Sequence, residues 1–418
     1  MRWFPAFTGF VAVTAFATMM WVGTGEGQVP VGGSELEPDI EGALESALGR
    51  STTWLLARQH ADGAWYSETY GAFKDGWSLT PVALLALYYM PPDPAIAPAW
   101  HRGADFLAAA VTAEGRVRPA PVGYSYPSES LALSATVLSM PPALRHRAAR
   151  DALIVELRAR QLVAPNGFSP EDANFGGWGY AASRFSRPPE GLPSDDARAA
   201  NLPATLLALG ALRFAGAAPD DPALAAALIF LRRCQNFGPD PTRDDGGFFF
   251  SPTGDTTNKA GPMPGVRGRF RSYGSMTADG FRALRLVLTP ADASRLAAAA
   301  EWLRRHFEPS RAAGDYAPDR SIQRDAVYFY QSWSLAHALL ESSPAEIDTG
   351  RGRVRWGPAL AQALLARQAG DGHFENPATD LREDDPLLAT PLAMAALGIV
   401  RFHFSGRLSA SIPMRAEP

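Results

Sequence analysis

The chain has one cysteine, Cys234, which excludes an intramolecular disulfide framework and any multi-cysteine zinc or iron–sulfur site. A lone cysteine is also what a chain bound for an oxidising compartment tolerates. Lysine is nearly missing: of 39 basic residues only Lys74 and Lys259 are not Arg. With so much Ala beside them, this reads as the codon bias of a GC-rich genome. There is no basic excess, because 43 acidic residues leave a formal net charge of -4, and this argues against nucleic acid as a partner. Strand signals are scarce. What is present excludes a disordered or collagen-like chain: 46% of the 418 residues are hydrophobic and 10% aromatic. A chain of this size can bury roughly three quarters of its unfolded surface.

Arg2 opens an apolar run from Trp3 to Val22, broken only by Pro5, Gly9 and a few Thr, and the small residues Gly23, Thr24 and Gly25 follow. A positive start, an apolar stretch and small residues predict a secretory signal over residues 1–30. The run also approaches the ~20 residues that span a bilayer, so an uncleaved N-terminal anchor is the alternative. Either way the remainder is expected outside the cytoplasm, in the periplasm, in the cell envelope or secreted, touching a membrane only through an uncleaved N-terminus. No later stretch reads as apolar enough to span.

The remainder repeats. Trp54-Leu55-Leu56-Ala57-Arg58-Gln59 runs into Asp62-Gly63-Ala64-Trp65, and Ala363-Leu364-Leu365-Ala366-Arg367-Gln368 runs into Asp371-Gly372-His373-Phe374. Weaker copies lie between: Phe106 to Gly115, Gln161 to Gly167-Phe168 and Gly176-Gly177-Trp178, Gln235 to Gly246-Gly247-Phe248, and Trp302 to Gly314-Asp315-Tyr316. Each turn precedes an apolar helix with its own start signal, as in Thr80-Pro81, Ser128-Glu129, Asn201-Leu202-Pro203, Gly274-Ser275 and Thr390-Pro391. These helices are apolar on most faces and belong inside, while those that end in Gln carry spaced Arg and Glu and belong outside. Six outer–inner pairs predict an all-α protein, either an open solenoid or a closed (α/α)6 toroid over residues 31–404, with a flexible tail at 405–418.

The Gln-to-Gly-x-Trp unit resembles the repeat of the squalene/terpenoid cyclase and protein prenyltransferase superfamily, over almost all of the chain after the signal. Gly274-Ser275-Met276-Thr277-Ala278 and the Tyr328–Leu335 helix are similar to its exported single-toroid branch. The resemblance implies closure into a toroid. The motif itself speaks for fold: the Gln bonds backbone at the next turn, the Gly permits that turn and the aromatic packs over the helix end. In the triterpene cyclases an Asp-x-Asp-Asp-Thr acid protonates an alkene; the nearest match here is Pro193-Ser194-Asp195-Asp196-Ala197, and counting from Leu207 puts Ala200-Asn201 at the acid pair. The zinc site of the prenyltransferases has no counterpart, since Cys234 lacks an Asp at the required spacing.

The candidate catalytic residues are therefore Asp195, Asp196, Asp279 and His337, each read beside a structural role: helix capping for the acid pair, a helix flank for Asp279, a core imidazole for His337. Asn201, Tyr273, Thr277, Tyr328, Tyr330 and Trp333 are the candidate ligand-binding residues, with core packing as the alternative for the aromatics. No metal and no cofactor is expected. The segment Phe237–Tyr273, rich in Gly and Pro, precedes an inner helix and is expected over the toroid mouth as a lid or docking loop. Three functions stay open. The first is a terpenoid-cyclase-like toroid holding an apolar or isoprenoid ligand, whose catalysis is undecided because both superfamily motifs are missing. The others are a non-catalytic scaffold for an envelope protein or polysaccharide, and a carbohydrate-active toroid using two carboxylates.

Overall fold

In the computed structural model the described residues are 38–117, 127–181, 184–188, 199–254, 257–266, 268–287 and 289–405. The expected signal (1–30), nearly all of the expected tail, and Asp195 and Asp196 lie outside them.

Six outer helices alternate with six inner ones. The outer set is α1 (Pro38–Leu56), α3 (Ile96–Ala109), α5 (Arg147–Arg160), α7 (Pro222–Arg233), α9 (Ala293–Arg305) and α12 (Trp356–Leu365). The inner set is α2 (Thr80–Tyr88), α4 (Pro127–Ser139), α6 (Leu202–Phe214), α8 (Gly274–Val287), α11 (Tyr328–Ser342) and α13 (Pro386–Ser405). A single turn, α10 (Ser321–Asp325), a short antiparallel hairpin, β1 (Glu346–Asp348) with β2 (Arg353–Arg355), and five short 3-10 helices complete the elements among the described residues. Each inner helix packs on the next, and α13 packs back on α2, so the ring is closed. The closed toroid that the resemblance implies is the arrangement observed. The inner helices bury nearly all their faces because both the ring neighbours and the outer layer cover them.

The repeated Gln explains the geometry. Gln161 Nε2 donates to the carbonyls of Gly176 and Ala223, both at 2.8 Å, so one amide ties its own turn to the next outer helix, α7. Gln59 does the same with Gly63 and Ala99, Gln235 with Gly246 and Arg295, and Gln368 with Gly372 and Ala47. The bonds reach the turn, as the sequence suggests, and also the following helix, which the sequence does not suggest. Gly176 has φ +88°, and a Cβ there would lie 1.9 Å from the Ala226 carbonyl oxygen. Glycine is thus required twice, for the left-handed turn and for the approach of α7. Because Gln368 and Ser51 bond across the Gly372 turn, the last repeat is stitched to the first. The Arg401–Glu45 ion pair crosses the same seam.

Threonine supplies a second strut. Thr80, Thr205, Thr277 and Thr390 each accept, through Oγ1, the backbone N–H of Trp65, Trp178, Phe248 and Phe374, at 3.2, 3.1, 3.0 and 2.9 Å. Each bond fixes the motif aromatic over the start of the following inner helix.

Two expectations need correction. The helix expected to start at Thr390-Pro391 starts at Pro386, because Asp385 caps it by accepting the Leu387 N–H at 2.9 Å. Helix α13 is also long and apolar enough to cross a membrane, contrary to the expectation that no later stretch is. Most of its apolar window is buried within the protein, where it forms one wall of the ring.

Candidate functional site

The inner helices enclose a cavity of about 190 Å³. Its walls come from the first two to three turns of all six: Val82 and Leu85 of α2, Glu129 and Leu133 of α4, Pro203 and Leu207 of α6, Met276 of α8, Tyr330 and Trp333 of α11, and Leu388, Leu392 and Ala395 of α13. Phe73, Tyr180, Lys259 and Glu383 reach it from loops. The surface is mostly aliphatic and aromatic with a few polar groups. Six helix N-termini converge at this pole, and their partial positive charge favours carboxylates there.

Two acids line the cavity, Glu129 and Glu383, and Glu129 is the one carried by an inner helix. It lies in the first turn of α4, where Ser128-Glu129-Ser130 reads in the sequence only as a helix start. Burial pushes its carboxyl up to about 7, with Lys259 and a Tyr180 hydrogen bond opposing and Asp279 adding to the rise. Lys259 comes from the Phe237–Tyr273 segment, which does reach the toroid mouth. Its backbone is anchored by Asn258, whose amide takes the Phe250 N–H at 2.9 Å and the Ser251 N–H at 3.2 Å and donates to the Ser251 carbonyl at 2.9 Å. The Lys259 Nζ sits 5.3 Å from the centre of the Phe250 ring. Desolvation lowers its pKa against the pull of Glu129, Asp279 and Glu383.

Glu383 is a capping group. Its two carboxylate oxygens accept the N–H groups of Tyr330 (2.8 Å) and Phe329 (3.0 Å) and the Asn376 amide (3.0 Å), closing the start of α11. Burial still raises its pKa.

The candidates named from sequence separate into groups. Tyr330 and Trp333 line the cavity. Asp279 is fully buried behind Tyr330, whose hydroxyl donates to it at 2.7 Å; Ser334 donates too, and Arg282 stands 3.9 Å away. Burial holds Asp279 up at about 6. His337 is buried between the rings of Trp333 and Tyr89, at 5.8 and 6.0 Å, and desolvation keeps it neutral. Asn201, Thr277, Tyr273 and Tyr328 are not among the lining residues. Asn201 caps α6 by accepting the Ala204 N–H at 3.0 Å. Thr277 is one of the four struts, and it also donates to the Tyr273 carbonyl at 3.0 Å. Tyr273 packs on Tyr316 at 5.7 Å, and Tyr328 donates to the Pro309 carbonyl under the guanidinium of Arg367. Among the described residues no cluster of His, Cys, Asp and Glu could hold a metal.

Sequence reasoning missed Glu129 and Lys259. A signal existed for one of them: a lysine in a chain that writes almost every other basic residue as Arg.

No family model matches the chain, and no curated protein is similar to it. Solved structures are. The chain is similar to the type II terpene cyclase MstE from Scytonema in complex with geranylgeranyl dihydroxybenzoate, at 14% identity and a TM-score of 0.52, over 88% of this chain and 99% of that one. The fold is that of the α/α toroids. A second similar toroid is the α-1,6-mannanase GH76A of Salegentibacter in complex with α-1,6-mannotriose, at 11% identity, a TM-score of 0.51 and coverage of 85% and 99%. A protein from Actinoplanes matches at 15% identity and a TM-score of 0.50, over 86% and 99%. At these identities the likeness is one of architecture.

Proposed function

We propose that this toroid binds a small, mainly apolar ligand of the isoprenoid class in its central cavity, with Glu129 as the acid presented to it. The observation that carries the reading is the ring of aliphatic and aromatic side chains from six inner helices around one hollow. Such a surface gains from taking up hydrocarbon and offers a sugar few partners for its hydroxyls. The similar terpene cyclase binds geranylgeranyl dihydroxybenzoate as its substrate, which supports the reading by analogy of fold. A cavity of about 190 Å³ suits a ligand on the order of ten heavy atoms, since an engineered hole of roughly 150 Å³ takes benzene.

A carboxyl whose pKa lies near 7 is protonated in a sizeable fraction of molecules at neutral pH. Glu129 can therefore give a proton to a bound ligand, and the ring faces of Tyr180, Tyr330 and Trp333 can stabilise positive charge that develops on it. We also propose export, on the N-terminal apolar run alone.

The test is thermal denaturation and native mass spectrometry with geraniol. One molecule bound per chain and a raised melting temperature are expected. Leu207→Trp, which fills the hollow, should abolish both effects while the circular dichroism spectrum stays helical. Failure of geraniol to bind, together with no small molecule co-purifying, would leave the ring as a scaffold only.

A further inference from the structure

We propose that Lys259 forms a covalent imine with an apolar aldehyde or ketone seated in the central cavity. The inference rests on the ligand-binding reading above and adds the functional group of the ligand.

Four observations meet at this residue. Its ammonium faces an apolar hollow, and among the described residues its Nζ has the Phe250 ring as neighbour with no hydrogen bond and no carboxylate within ion-pair distance. The neighbouring Asn258 side chain ties the backbone next to Lys259 to Phe250 and Ser251, which fixes the root of the amine at the cavity. A protonatable acid, Glu129, lines the same hollow and is held by Tyr180. The second lysine, Lys74, is exposed, so the chain carries an internal control.

A lysine kept for charge alone would be served by Arg, the residue this chain uses almost everywhere else. Arg cannot add to a carbonyl, because its guanidinium stays protonated; a desolvated amine can. The lowered pKa of Lys259 gives more free amine at neutral pH than an exposed lysine has. The amine lone pair adds to the carbonyl carbon and gives a carbinolamine. Glu129 protonates the departing hydroxyl, which leaves as water. The nitrogen proton returns to the Glu129 carboxylate, and a C=N bond remains. The sum is one amine and one carbonyl to one imine and one water, with no redox partner. The groups that bear on the amine's charge are Glu129 on α4, Asp279 on α8 and Glu383 before α13.

The full chain is treated with octanal and sodium cyanoborohydride near pH 7.5, and labelling is mapped by peptide mass spectrometry. Saturable alkylation of Lys259, faster than that of Lys74, is expected, because desolvation lowers its pKa and leaves more free amine. Glu129→Gln should slow the Lys259 adduct and leave Lys74 labelling unchanged. A Lys259 rate no higher than that of Lys74, or an adduct that does not saturate, would overturn the proposal. Octan-1-ol, which cannot form an imine, separates the two readings. If it raises the melting temperature of the wild type and of Lys259→Met while octanal labels Lys259 no better than Lys74, the ligand-binding reading stands and the imine falls. If octan-1-ol has no effect, the ligand-binding reading fails by itself.

Discussion

A half-buried carboxyl in the cavity, Glu129, and a fully buried one beside it, Asp279, carry opposite-sign neighbours and still sit high. Desolvation of Glu129 outweighs Lys259 and Tyr180, and desolvation of Asp279 outweighs Arg282, Ser334 and Tyr330. A carboxyl whose folded pKa lies above its unfolded value favours folding in its neutral form. For Glu129 the extra stability is complete below about 4.5 and is lost as pH rises through about 7. Glu129→Gln is therefore expected to match the wild type at pH 4 and to exceed it at pH 8 by on the order of 2 kcal/mol, allowing for access of water from the cavity. Melting curves across that range check it; a constant gap between the two proteins would contradict it. Lys259 and Glu129 were hard to pick from sequence for a simple reason. Neither sits in a motif, and their meeting depends on a loop folding across from one inner helix to another.

At the scale of the element, the Gln-turn-Gly unit works as a stitch. Gln161→Ala would leave the Gly176 and Ala223 carbonyls without their donor, at a cost of about 2–4 kcal/mol. Gly176→Ala combines a left-handed φ with a collision against the Ala226 carbonyl and should cost about 3 kcal/mol or more. Urea titrations measure both. Equal stability of Gly176→Ala and wild type would show that α7 does not approach as closely as described. The stitch was legible in the repeated letters, because a turn bond four to fifteen residues away is local. The other half, the bond to the next outer helix, was not legible, because residues 40 to 62 apart meet only after the helices pack. The same holds for Thr277. Its resemblance to a site residue came from sequence, and its role as one of four struts appears only when four inner helices are superimposed in the mind.

For the whole molecule, closure removes the exposed ends that a linear repeat array must cap. Gln368 reaches Ala47 and Ser51, more than three hundred positions back in the chain, through the same contact that joins sequential repeats elsewhere. Gln368→Ala is therefore expected to cost as much as Gln161→Ala, despite the length of chain between its partners. With no terminal repeat to fray, calorimetry should show one cooperative transition with matching calorimetric and van't Hoff enthalpies. Two resolved transitions would mean that the seam between α12 and α1 opens first.

The sequence by itself determined the helical class, the number of pairs and the sorting of helices into outer and inner layers. Those follow from periodicity and from turn chemistry, both of which act over a few residues. Tertiary structure decided which acids turn toward the axis and that one of two lysines enters the hollow. These depend on how each helix is rotated about its own axis and on where a long loop crosses the mouth. Such choices are fixed by packing between residues far apart in the chain, and no short stretch of letters encodes them.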